Sequence, residues 1–136
     1  MDRGGELRRT KSEIVTAAVP ASMPGVAAVA GLVLFNQLFN VGATTGFALS
    51  GRAGTTSVFL LWQAIGSAFG LGAQVTFAGL ARFLSLRVAN AIGIGLAFVS
   101  AQVFGAFVFF NEPFAPVQWF GTALVFVGIL FIALGG

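Results

Sequence analysis

Residues 82–112 read RFLSLRVANAIGIGLAFVSAQVFGAFVFFNE. From Val88 to Asn111 nothing is charged, and Arg82, Arg87 and Glu112 stand only at the margins. Such a run has the length, roughly 20 apolar residues, that a helix needs to cross about 30 Å of hydrocarbon. The same pattern recurs outward in both directions. No charge falls in residues 55–80, in residues 25–49 before Arg52, or in residues 117–134 after Glu112. Between Ile14 and Gly136 the charged residues are Arg52, Arg82, Arg87 and Glu112, each in a gap between apolar runs.

The expected fold is therefore all-α, an integral-membrane bundle of four transmembrane helices over about 25–49, 55–80, 88–110 and 117–134. Helices satisfy every backbone N–H and C=O within the span, as lipid requires. The breaks are turns by composition: Ser50-Gly51-Arg52-Ala53-Gly54, then Arg82 to Arg87, then Asn111-Glu112-Pro113 followed by Pro116. Connections this short favour antiparallel neighbours. A β-barrel would need alternating segments of about ten residues, which are not seen. Residues 1–24 form a separate polar, basic tail, and residues 25–136 the membrane domain. Arg3, Arg8, Arg9 and Lys11 open the tail, but Glu13, Pro20 and Pro24 interrupt the apolar stretch a signal peptide needs. The tail is read as retained and cytoplasmic, with a short interfacial helix over Leu7 to Val19.

Composition narrows function. With 57% hydrophobic and 8% charged residues the chain lies far from the soluble norm. There is no Cys and no His, which removes thiol chemistry and the usual zinc sites, so no metal and no cofactor is expected. Glu112 is the single acid beyond the tail and has neither a histidine nor a second acid beside it. No phosphate loop or nucleotide fingerprint is present, and an enzyme is not expected. The basic residues are too few for a nucleic-acid partner, and the lipid bilayer is the simpler one.

Orientation follows from the distribution of Lys and Arg. Four in the tail and two in the Arg82–Arg87 loop share a side, against Arg52 alone on the other. Both termini are expected in the cytoplasm, and the place is the inner (plasma) membrane. One fixed orientation favours a parallel homodimer, or a heterodimer with a second small membrane subunit, over an antiparallel pair.

Inside the spans the polar residues form stripes. At about 100° per residue, Asn36, Asn40 and Thr44 share one face of the first span. Gln63, Ser67, Gly70 and Gln74 make a narrow seam on the second, and Asn90 and Ser100 come near a shared face of the third. An unpaired amide in an apolar medium costs roughly 2–7 kcal/mol, so these side chains should face one another or a watery cavity. Two readings stay open. The amides are interhelical glue, or Asn36, Asn40, Gln63, Gln74 and Asn90 line a path for substrate. The glycine pairs Gly42/Gly46 and Gly66/Gly70, with Gly121 and Gly128 seven apart on the last span, are read as helix-packing positions. Gly93, Gly95 and Gly105 should loosen the third helix. Trp62 and Trp119 are read as interface or packing aromatics.

Two stretches carry a family resemblance. Asn40-Val-Gly-Ala-Thr-Thr-Gly-Phe-Ala-Leu-Ser50 resembles the first helix of the small multidrug resistance family. Phe109-Phe110-Asn111-Glu112-Pro113-Phe114, with Gln118-Trp119-Phe120-Gly121-Thr122-Ala123-Leu124 and Gly128-Ile129-Leu130, resembles the end of that family's third helix and its fourth. The same pattern ends each half of the EamA-type transporters, and both groups belong to the drug/metabolite transporter superfamily. The resemblance covers about Val33 to Gly136 and implies a small transporter working by alternating access. Asn40 stands where the drug exporters carry the glutamate that binds proton and cation, and Gly93 where a tryptophan is expected. The superfamily also contains paired four-helix subunits that move lipid-linked sugars, so the resemblance implies a neutral or lipid-linked solute. The rival expectation is a non-transporting subunit that scaffolds a larger membrane complex.

Overall fold

The computed structural model describes residues 23–135, so the basic tail and the interfacial-helix reading of Leu7 to Val19 lie outside it. The described residues are helical, with no strand among them. The helices are α1 (Met23–Gly51), α2 (Thr56–Phe83), α3 (Leu86–Phe109) and α4 (Pro116–Leu134). All four are long and apolar enough to cross a membrane. Large apolar side chains cover the outside: Leu34, Leu60, Leu71, Val75, Phe120 and Phe131 are all exposed.

The helix ends have local causes. Thr55 caps α2, its hydroxyl accepting from the Val58 N–H, and the Leu84 N–H closes the other end on the Leu80 carbonyl at 2.9 Å. Pro116 occupies the first position of α4, where its missing N–H costs nothing, and the Gln118 side chain accepts from the Ala115 N–H at 2.8 Å. Two breaks are shorter than the sequence implies. Helix α1 continues through Ser50 to Gly51, because Ser50 is buried and its hydroxyl donates to Gln63 Oε1 on α2 at 3.0 Å. The expected Arg82–Arg87 loop is only Leu84-Ser85. Arg82 lies in the last turn of α2 and Arg87 in the short helical opening of α3. Long cationic side chains can reach out from a terminal turn, so a charge marks the end of a span without marking the end of its helix.

Helices α1 and α2 form the tightest pair, and small residues set their approach. A Cβ at Gly46 would fall 2.8 Å from the Gly66 Cα, so backbone meets backbone there. Around that point glycines receive side chains from the opposite helix: Gly42 the Phe69 ring, Gly66 the Phe47 ring, Gly72 the Phe39 ring and Gly79 Leu32. Helix α3 then joins both α2 and α4, with Gly93 under Phe77 and Gly95 under Ile129. Gly70, Gly121 and Gly128 have no neighbouring atom within 4 Å of an added Cβ, so their surroundings are open.

Helix α3 is not a uniform α-helix. Residues Ala91–Leu96 and Ala101–Phe109 adopt the wider π-turn, separated by the α-turn Ala97–Ser100. The second π segment ends where the Phe110 N–H reaches back five residues to the Gly105 carbonyl. Asn111 then takes a left-handed conformation at φ 51°, which an asparagine tolerates better than most side chains, and the chain turns toward α4. At this end of the bundle Arg52 pairs with Glu112 and lies 4.1 Å over the Phe110 ring. That contact ties the α1–α2 turn to the α3–α4 turn. Phe107, Phe114 and Trp119 pack beside it with ring centroids 5.0–6.0 Å apart.

Candidate functional site

The buried polar centre begins with Asn36. Its side chain is 1% exposed, one of the largest fully buried groups in the described residues. Both hydrogens of its amide are used on α2: Nδ2 donates to the Ala73 carbonyl at 2.8 Å and to Thr76 Oγ1 at 3.1 Å. The single hydroxyl proton of Thr76 is shared between the carbonyls of Gly72 at 3.0 Å and Ala73 at 2.9 Å. Asn36 Oδ1 accepts from Asn40 Nδ2, one turn along α1, at 3.2 Å, and from Gln37 Nε2 at 3.3 Å. Asn40 Nδ2 also reaches the Asn36 carbonyl at 2.8 Å.

Gln37 carries the network to α3. Its Nε2 donates to the Ile92 carbonyl at 3.1 Å and its Oε1 accepts from Ser100 Oγ at 3.1 Å. Ile92 lies in the first π segment, and Ser100 at the junction before the second. Where turns widen, carbonyls tilt away from the helical ladder, and here a side chain from α1 takes one of them. A continuous set of hydrogen bonds thus links three helices through neutral groups, with the nitrogen and the oxygen of both the Asn36 and the Gln37 amide paired.

Beside this network lies a cavity of about 380 Å³, within the range of small-molecule sites. Asn36 forms its floor. Asn40, Thr44, Gly70, Gln74, Phe77 and Ile94 are among its walls, so α1, α2 and α3 all contribute. No residue that lines it is ionisable. It opens sideways, since Thr44, Phe47, Gln74 and Ile94 are exposed at its edge.

Of the residues expected to line a path, Asn36, Asn40 and Gln74 come together here. Gln63 does not; it is exposed near the α1–α2 turn and bonded to Ser50. Asn90 lies in a separate, mainly apolar recess between α3 and α4, with Arg87, Gly95 and Ile129. Of the expected packing glycines, Gly42, Gly46 and Gly66 lie at the α1–α2 contact, while Gly70 lines the cavity. Gly121 lines a third recess with Gln102, Gln118 and Thr122. Gln37, Thr76 and Ser100 complete the network without having been singled out as site residues. The available signal was that Gln37 adjoins Asn36 and Ser100 is the one hydroxyl in the middle of its span.

The chain is 38% identical over 85 residues to Uncharacterized protein y4nH of Sinorhizobium fredii (strain NBRC 101917 / NGR234). The match covers 62% of this chain and 72% of that protein. The chain belongs to the y4nH family. No family model matches it, and no solved structure matches it. The relative's name states no activity, so for this y4nH-family chain the functional reading rests on the site itself.

Proposed function

We propose that the protein is a small transporter, or a transporter subunit, that moves a neutral or lipid-linked small solute across the inner membrane by alternating access. The observation that carries this reading is the half-open cavity at the level of Asn36 and Asn40, mainly apolar in its lining, with the four neutral polar side chains Asn36, Asn40, Thr44 and Gln74 and no ionisable group. The exposed edge of the cavity carries Thr44 and Gln74, whose hydrogen bonds fall to water or to the hydroxyls and amides of a solute. Asn36, whose hydrogens are both held by α2, fixes the floor and sets the side chain of Asn40. Asn40, Thr44 and Gln74 then supply the contacts to solute. Without an embedded acid the cavity has no group to exchange a proton for a cation, which separates it from the drug exporters that the first and last helices resemble. A hydroxyl-rich headgroup fits these donors and acceptors better than a cation does.

Both termini face the cytoplasm in this reading, following the charge distribution. The test is transbilayer movement of a panel of fluorescent-headgroup lipids and glycolipids in proteoliposomes, followed by dithionite quenching. Movement should exceed that in protein-free vesicles for at least one probe. It should fall in Asn40→Leu and Gln74→Leu while the variants keep their melting temperature. Background rates for the whole panel, in a protein that is folded and inserted, would count against transport and favour a scaffolding subunit.

A further inference from the structure

We infer that the exposed polar seam of α2, formed by Gln63, Ser67 and Gln74, is the face on which a second, parallel copy of this chain packs, closing the mouth of the Asn36–Asn40 cavity. The inference rests on the reading of the chain as membrane-inserted in one orientation.

The seam lies where an amide should not be exposed. Helix α2 runs over Thr56–Phe83. At about 1.5 Å per residue Gln63 and Gln74 lie roughly 10 Å and 7 Å on either side of its midpoint, both inside a hydrocarbon half-thickness of about 15 Å. Yet Gln63, Ser67 and Gln74 are all exposed in the single chain. The face that α2 turns to its own bundle is a different one: Gly66, Ala73, Thr76 and Leu80. At 100° per residue the seam lies roughly 100° around the helix from that face, between it and the lipid-facing Leu71 and Val75. It is too polar for acyl chains, and α1 reaches it only at the Gln63 end, where the Ser50 hydroxyl donates to Gln63.

Three observations select a second copy as the occupant. An amide both donates and accepts, so a Gln seam is complementary to itself, the condition for a two-fold interface. Gly70, between Ser67 and Gln74, has no atom within 4 Å of an added Cβ, leaving space for close approach. Finally, Gly70 and Gln74 also line the open edge of the cavity, so whatever covers the seam adds the missing wall. With both copies facing the same way, a two-fold axis along the membrane normal places each seam residue opposite its own counterpart. The cavity is then completed by the partner's α2.

The chain contains no Cys, so single-cysteine variants report cleanly. In native membranes under mild oxidation, Ser67→Cys and Gln74→Cys should each form a disulfide-linked dimer, whereas Val75→Cys, 72% exposed on the lipid side, should not. Adding Gln63→Leu to Ser67→Cys should lower the dimer yield about threefold, the change expected from one interhelical amide bond in a membrane. A Val75→Cys yield equal to that of Gln74→Cys, or no cross-link at either seam position, would overturn the interface. Preferential linking of Gln63→Cys in one copy to Gln74→Cys in another would mean an antiparallel pair and overturn the parallel arrangement. Impermeant thiol labelling of Gly54→Cys in the α1–α2 turn separates these outcomes from a failure of the underlying reading. One-sided labelling keeps the fixed orientation, and two-sided labelling in intact cells removes it.

Discussion

Adding a single methyl group at Gly46 tests the packing on which the cavity depends. In Gly46→Ala the new Cβ would fall 2.8 Å from the Gly66 Cα and 2.9 Å from its nitrogen. Both are backbone atoms, so no rotamer change relieves the contact. Ordinary carbon–carbon contact needs roughly 3.5–4.0 Å, so α1 and α2 must separate locally by about 1 Å. The same separation would stretch the Asn36 bonds to Ala73 and Thr76, now 2.8 and 3.1 Å, ten residues away on α1. Overpacking of this kind costs about 1–3 kcal/mol, and weakening one interhelical hydrogen bond adds roughly 0.6 kcal/mol. The gain in helix propensity from Gly to Ala, about 1 kcal/mol, offsets part of this. Gly121→Ala is the matched control, since its Cβ meets no atom within 4 Å, and only the propensity gain applies. Unfolding in detergent micelles, followed by circular dichroism, should rank Gly46→Ala below wild type by about 1–2 kcal/mol and Gly121→Ala at or slightly above it. Equal stability of the two variants would refute the backbone contact at Gly46–Gly66 as the point that sets the helix spacing.

Other expectations follow from the same geometry. Gln37→Leu removes the bonds to Ile92 and Ser100; it should cost about 1–2 kcal/mol and raise amide hydrogen exchange over residues 91–96 more than elsewhere. Gly95→Ala should destabilise, because its Cβ would sit 2.8 Å from Ile129 Cγ1. The double variant with Ile129→Ala should recover part of that loss, giving a non-additive cycle in thermal melts. Arg52→Gln should lower stability by no more than about 1 kcal/mol, because both partners of the Arg52–Glu112 pair are about half exposed, and the loss should shrink at high salt.

The four helices were legible because charge and length govern membrane spans almost independently of tertiary packing. Arg52, Arg82, Arg87 and Glu112 mark the span limits within a few residues. The helix limits were less legible, since Ser50 finds a partner on α2 and the arginines tolerate terminal turns. In the site, the periodicity of Asn36, Asn40 and Thr44 marks one face of α1, and that face does border the cavity. On α2 two stripes compete. Gln63, Ser67, Gly70 and Gln74 form the obvious one, but α1 packs on the stripe that contains Gly66 and Ala73. A stripe identifies a face without naming its neighbour, so the sequence could not place Gln63 and Asn90 relative to Asn36. The π-turns of α3 were legible only as a concentration of glycines. Which carbonyl they leave to Gln37 depends on the register between α1 and α3, a property of the assembled bundle.

The central claim is that the cavity beside Asn40 opens alternately to both sides of the membrane. It is tested most directly by labelling Asn40→Cys with a small, impermeant thiol reagent applied to one side at a time in oriented proteoliposomes. Leu34→Cys, on an exposed side chain near the middle of α1, serves as the control. The account predicts that Asn40→Cys reacts from either side and Leu34→Cys from neither. An Asn40→Cys that is inert from both sides, or that reacts from one side only, contradicts alternating access at this site.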